Sequence, residues 1–201
     1  MQKGLLPTAL AALLWTQFAC AATLPAHDVT KDFLGRGQIH LLNSSNFNTA
    51  CPDDRIGCLN GHGMLTLNDC AVFNRNDAIP SFPTNLGTAA GNCSFRDQDM
   101  PRNTDSYYGA DSFAWSCGGK NIDGLDEYYY TVTGFNYPFI CSGDIRCYYD
   151  IVGKAPTHHS PPMPVWQFFW GGSQMDIEAG HWRVILLWVP LAKESPGGAV
   201  A

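Results

Sequence analysis

Asp97, Asp99, Asp105 and Asp111 crowd the stretch "FRDQDMPRNTDSYYGAD" and are the densest set of reactive groups in the chain. Carboxylate oxygens at such spacing could line a calcium site. The run lacks the glycine and terminal glutamate of an EF-hand loop, however, so we read it as solvated loop carboxylates. Together with Asp123, Asp126 and Glu127 the same residues supply candidates for the acid and base of a glycosidase, whose carboxyls must stand about 5 to 10 Å apart in space. Of the histidines, only His158 and His159 in "THHS" adjoin, and no third ligand accompanies them; no metal and no other cofactor is expected. A serine hydrolase would need a G-x-S-x-G elbow, which is absent. A cysteine nucleophile would need a free thiol of low pKa.

The cysteines point elsewhere. A basic Lys3, an apolar run from Leu5 to Phe18 and the small residues of "ACAA" have the order of a secretory signal peptide, with cleavage expected after Ala21. Its apolar stretch is short of the roughly 20 residues of a comfortable membrane span. Removing it takes Cys20 and leaves Cys51, Cys58, Cys70, Cys93, Cys117, Cys141 and Cys147. In a secretory compartment an odd set of seven implies three disulfides and one unpaired thiol. Their spacing offers no C-x2-C zinc pair. The short loops favour Cys51 with Cys58 and Cys141 with Cys147, leaving Cys70 to meet Cys93 or Cys117. Sequons at Asn43 ("NSS") and Asn92 ("NCS") mark candidate glycosylation sites, although a bridged Cys93 inside the second would hinder its use.

Loss of the leader moves the net charge from -6 to -7, since Lys3 goes and no carboxylate does. So acidic a chain is poorly suited to nucleic acid or anionic lipid, both of which are held mainly through Lys and Arg. We expect no nucleic acid partner and no membrane span.

Turn chemistry dominates residues 51–124, as in "CPDD", "NGHG", "IPSFPTN" and "CGGKNIDG", so long helices are excluded there. "TLNDCAVFNR" alone could form a helical turn or two. From Glu127 the runs "EYYYTVTGF", "IRCYYDIVG", "VWQFFWGG" and "HWRVILLWV" carry the β-branched and aromatic signature of strands. Alternation along the last two puts Trp166, Phe168 and Trp170 on one face of the third, and Trp182, Val184, Leu186 and Trp188 on one face of the fourth. Both faces of the fourth run are apolar, as in a strand covered on both sides. We therefore expect Trp166, Trp170, Trp182 and Trp188 in a core. The fold class expected is mainly β, an antiparallel β-sandwich or half-open barrel with a disulfide-stapled, turn-rich lobe. Its divisions are a leader at 1–21, an arm at 22–50, one β domain at 51–192 and a flexible tail at 193–201. Within the domain, 51–124 forms the cysteine lobe and 125–192 the sheet. Strand alternation also leaves outward rings at Tyr128, Tyr130 and Tyr148, flat bodies with polar tips that suit a ligand surface.

"CLNGHGMLTLNDCAVF", "GNCSFRDQD" and "SYYGADSFAWSC" behind such a leader resemble the small secreted cysteine-rich proteins of filamentous fungi, the pool that supplies host-directed effectors. The resemblance covers the middle third of the chain and carries no catalytic residue. It implies an extracellular, effector-like role in virulence or competition, with an extracellular protein or glycan as partner. Two function classes follow: a non-enzymatic secreted binding protein, and a secreted glycan-active hydrolase using a carboxylate pair. A cleft holding two carboxylates, one with a raised pKa, would favour the hydrolase.

Overall fold

The computed structural model describes residues 28, 32–75, 84–120, 127–143 and 146–192. The expected leader, the tail, Asp123 and Asp126 lie outside them. Among the described residues regular structure is almost entirely antiparallel β, with one 3-10 turn at Pro52–Asp54. The strands are β1 (Arg36–Leu42), β2 (Arg55–Leu59), β3 (Leu65–Thr66), β4 (Phe73–Arg75), β5 (Leu86–Thr88) and β6 (Gly91–Ser94). They continue with β7 (Ser116–Cys117), β8 (Tyr129–Thr131), β9 (Phe139–Ser142), β10 (Tyr149–Val152), β11 (Trp166–Gln167) and β12 (His181–Pro190).

Two strands organise the rest. β12 pairs with β1 through Ile185–Pro190, with β9 at Leu186 and Leu187, and with β10 through His181–Val184. β1 in turn pairs with β2 and, at Arg36 and Gly37, with β4. Following the ladders β8–β9–β12–β1–β4–β5 leads back to the start, because Thr84, just before β5, exchanges two backbone hydrogen bonds with Tyr129 of β8 (2.8 and 2.7 Å). A ring closed on one side by a single bridge agrees with the antiparallel sandwich or half-open barrel expected from the sequence. Ile39, Leu41, Phe73, Tyr129, Leu186 and Trp188 belong to its core. There Trp115 stacks on Tyr129 at 5.3 Å. On the opposite face of β12, Ile185 and Leu187 join Leu42, Ala50 and Phe139 in a second apolar cluster. β12 is thus covered on both sides, as its sequence predicts.

Several expectations are corrected. The "TLNDCAVFNR" segment holds β4 rather than a helical turn; Phe73 and Arg75 are buried while Asn74 between them is exposed, the two-residue period of a strand. The turn-rich lobe contains β2 to β7, each too short to stand out from its punctuation. Trp166 and Trp188 are core and Trp182 half-buried against it, but Trp170 is exposed. Its strand pairs only at Trp166 and Gln167, and reciprocal backbone hydrogen bonds between Gly171 and Gln174 then turn the chain away from the sheet, which ends the alternation.

Three disulfides join described residues: Cys58–Cys70, Cys93–Cys117 and Cys141–Cys147. The last is as expected, whereas the pairs Cys51–Cys58 and Cys70 with Cys93 or Cys117 are not formed. Cys93 and Cys117 face each other across the β6–β7 ladder, so strand register selects the pair and not loop length. Cys51 is disulfide-bonded as well, and no described cysteine is free, which corrects the unpaired thiol. The odd count came from assigning Cys20 to the leader, and Cys20 lies outside the described residues.

Candidate functional site

β11 places Gln167 at the floor of an open cleft of about 520 Å3. The side chain is buried and spends both ends of its amide. Nε2 donates to Ser142 Oγ (2.8 Å) and to Glu127 Oε1 (3.2 Å), while Oε1 accepts from Arg146 Nη1 (3.0 Å). A carboxylate and a guanidinium from distant segments are thereby held by one amide. Arg146 is fixed a second time by its backbone, which exchanges hydrogen bonds with Ser142 (2.8 and 3.1 Å) inside the loop closed by Cys141–Cys147. Its guanidinium lies 4.7 Å from the centre of the Phe169 ring. Phe95, Phe113 and the exposed Tyr128 complete the aromatic walls, and Arg96 and Asp111 reach the edge.

Glu127 carries the distinctive electrostatics. Burial pushes its carboxyl above the usual carboxylate range, against the pull of Arg96 and Arg146 and of hydrogen bonds from the Phe95 backbone and Gln167. The arrangement can accept hydrogen bonds from a ligand at Glu127, donate to it from guanidinium groups and stack against it through rings. The second carboxylate, Asp111, is fully exposed and bound to Arg102 at 3.2 Å.

The other candidates from the sequence are dispersed. Asp97 is buried, accepting from Ser116 Oγ (3.2 Å) and from the Asp99 backbone N–H (3.1 Å); Asp99 meets Lys120 at 3.1 Å. His158 and His159 are exposed, with Asn68 3.3 Å from His158. Among the described residues no group of three or more His, Cys, Asp or Glu is arranged to hold a metal ion. Of the three tyrosines expected at a ligand surface, only Tyr128 lines the cleft. Tyr130 is half-buried, and Tyr148 packs 4.7 Å from Phe47 in the second cluster. Asn43 is exposed just beyond β1, and Asn92 is half-buried in β6 beside the bridged Cys93.

One constellation escaped the sequence. At the start of β12, His181 Nδ1 lies 2.6 Å from Asp150 Oδ1 on β10, and Asp150 Oδ2 accepts from Asn103 Nδ2 (2.8 Å). Asp105 occupies the other ring nitrogen at 3.3 Å, and Trp166 stacks on the imidazole. Burial opposes the charged imidazole, but hydrogen bonds and charge from Asp150 and Asp105 outweigh it and raise the His181 pKa. Burial raises Asp150 in turn, against its hydrogen bonds from Asn103 and His181. With both ring nitrogens occupied, His181 has none left to activate a nucleophile, and the cluster serves to pin the Asn103–Asp105 loop onto the sheet. Its members sit far apart in sequence, and no local pattern announces them.

No family model, curated protein or solved structure matches the chain. The three disulfides among the described residues and the antiparallel β architecture fit a small secreted cysteine-rich protein.

Proposed function

We propose that the chain acts outside the producing cell as a non-enzymatic binding protein, effector-like in its use against a host or competitor, and that it holds its target in the Glu127 cleft. The observation that carries this is the Gln167 amide, which orders Glu127 and Arg146 before any ligand arrives and so lowers the entropic cost of binding. One observation favours the hydrolase instead: Glu127 has a raised pKa and shares the cleft with Asp111, as a proton donor and a base would. Against it, Asp111 stands in solvent and is already paired with Arg102. Screening the purified protein against a glycan array, an extracellular protein panel and polysaccharide substrates separates the two. Binding without turnover, weakened about 10- to 100-fold in Arg146→Ala through loss of a charge-assisted contact, is the expected result. Release of new reducing ends, abolished in both Glu127→Gln and Asp111→Asn, would establish the hydrolase. Absence of any ligand whose binding depends on Arg146 and Glu127 would remove the cleft from the account.

A further inference from the structure

We infer that a second surface, the tip formed by the Asp105–Gly109 loop and the Trp170–Met175 turn, is a stacking platform for a neutral, pyranose-based glycan. Trp170 and Met175 are each 69% exposed, Tyr107 67% and Tyr108 40%, so two short segments carry four of the large exposed side chains among the described residues. The two segments meet where Tyr108 covers Gly171, and large apolar side chains exposed together mark an interaction site more often than accident.

This patch is ordered. Tyr108 OH accepts from the Ser173 backbone N–H (2.9 Å), and Gln174 Oε1 accepts from both the Tyr108 N–H (3.2 Å) and Ser106 Oγ (3.1 Å). Ser106 Oγ also accepts from the Gly109 N–H (2.9 Å). The Tyr108 ring lies so close over Gly171 that a Cβ there would stand 2.7 Å from it. Tyr107 meets Tyr108 edge-on at 4.9 Å. Rings held in place this way lose little freedom on binding.

Charge selects the occupant. The acidic groups on and beside the two segments are each matched from within: Asp105 faces His181, Asp111 meets Arg102 and Asp176 approaches Arg183. Among the described residues the cationic side chains beside the two segments, Arg102, His181 and Arg183, already face these carboxylates, and the chain's net charge of -6 disfavours anionic surfaces. What remains is flat apolar area edged by hydroxyl and amide groups, which complements the C–H face and the hydroxyl rim of an uncharged sugar ring.

The test titrates the intact disulfide-bonded protein with hexasaccharides of glucose, mannose and N-acetylglucosamine, with oligogalacturonate and phosphatidylcholine vesicles as the other arms. Tryptophan emission and acrylamide quenching are read. At least one neutral series should bind and shield Trp170. Trp170→Ala and Tyr107→Ala should each weaken that binding tenfold or more with an unchanged melting temperature, the size expected when a central ring is truncated. Gly171→Ala should weaken it by displacing the Tyr108 ring while removing none of the four side chains. Val152→Ala, at an exposed site elsewhere, and Arg146→Ala in the cleft should leave it unchanged. Absence of binding by all neutral series overturns the inference. So does binding indifferent to Trp170 and Tyr107, or Trp170-dependent binding to the vesicles or the uronate instead.

Discussion

His181 faces Asp150, Asp105 and the Trp166 ring at once. Its pKa and that of Asp150 are both raised, so the folded chain holds more protons than the unfolded one between the ordinary carboxylate range near 4 and the raised imidazole value. The raised Asp150 value costs stability as the pH climbs above about 4, whereas the stability from His181 is complete below about pH 6.5 and is lost as the pH rises through its folded value. His40 works in the opposite sense. Burial, helped by the Arg55 charge, takes its pKa down to about 4, so it costs stability as the pH falls from about 6.5 towards 4. Thermal melts of His181→Gln should lose the decline above pH 6.5, and those of His40→Gln the decline on the acid side. At pH 6, His181→Gln should also cost about 3 to 5 kcal/mol, since Asp150 would stay buried beside Asn103 without its cation. A His181→Gln profile parallel to that of the unaltered protein would mean the imidazole is not charged in the fold.

At the scale of elements, β12 behaves as its sequence foretells and β11 does not. Trp188 lies in the main core with Phe33 edge-on at 5.1 Å, and Gly37 of the neighbouring strand lies against its indole, where a side chain would collide. Trp188→Ala should cost roughly 3 to 5 kcal/mol through lost burial and the cavity left behind. Trp170→Ala should change stability by no more than about 0.5 kcal/mol, as is usual for exposed positions. Urea unfolding of the two variants measures both. Equal losses would place Trp170 in a core after all. Both tryptophans follow the same aromatic strand pattern in sequence, yet the alternation rule holds only while a strand stays paired, and pairing stops at Gln167.

For the molecule as a whole, the disulfides hold short strands that could not hold one another. Cys58–Cys70 ties β2 to the segment after β3, Cys93–Cys117 locks β6 to β7, and Cys141–Cys147 braces the loop that aims Arg146. Each closed loop contributes on the order of 3 kcal/mol in the chain-entropy picture. Alkylation before reduction should label none of the seven described cysteines, and peptide mapping should recover the three pairs together with a bridged Cys51. Dithiothreitol should lower the melting temperature markedly. An unchanged melt would show that the strands suffice without the bridges.

The residue pattern by itself determined the antiparallel β class, the two apolar faces of β12 and the use of cysteines as covalent staples. Each follows from local physics: turn residues break helices, period-two runs form strands, and thiols oxidise in a secretory compartment. Which cysteines pair was left to the tertiary structure, because loop-closure entropy varies only logarithmically with length and hardly ranks one pairing above another, whereas ladder register brings Cys93 within 3.9 Å (Cα–Cα) of Cys117. The cleft was legible only as separate parts, a carboxylate at Glu127 and a ring at Tyr128. Gln167, Arg146 and Phe169 join them through β9, β10 and β11, and the His181–Asp150 contact forms only when β10 lies beside β12. Both arrangements depend on distances of about 3 Å between groups tens of residues apart, and chain folding sets such distances where local sequence preference has no reach.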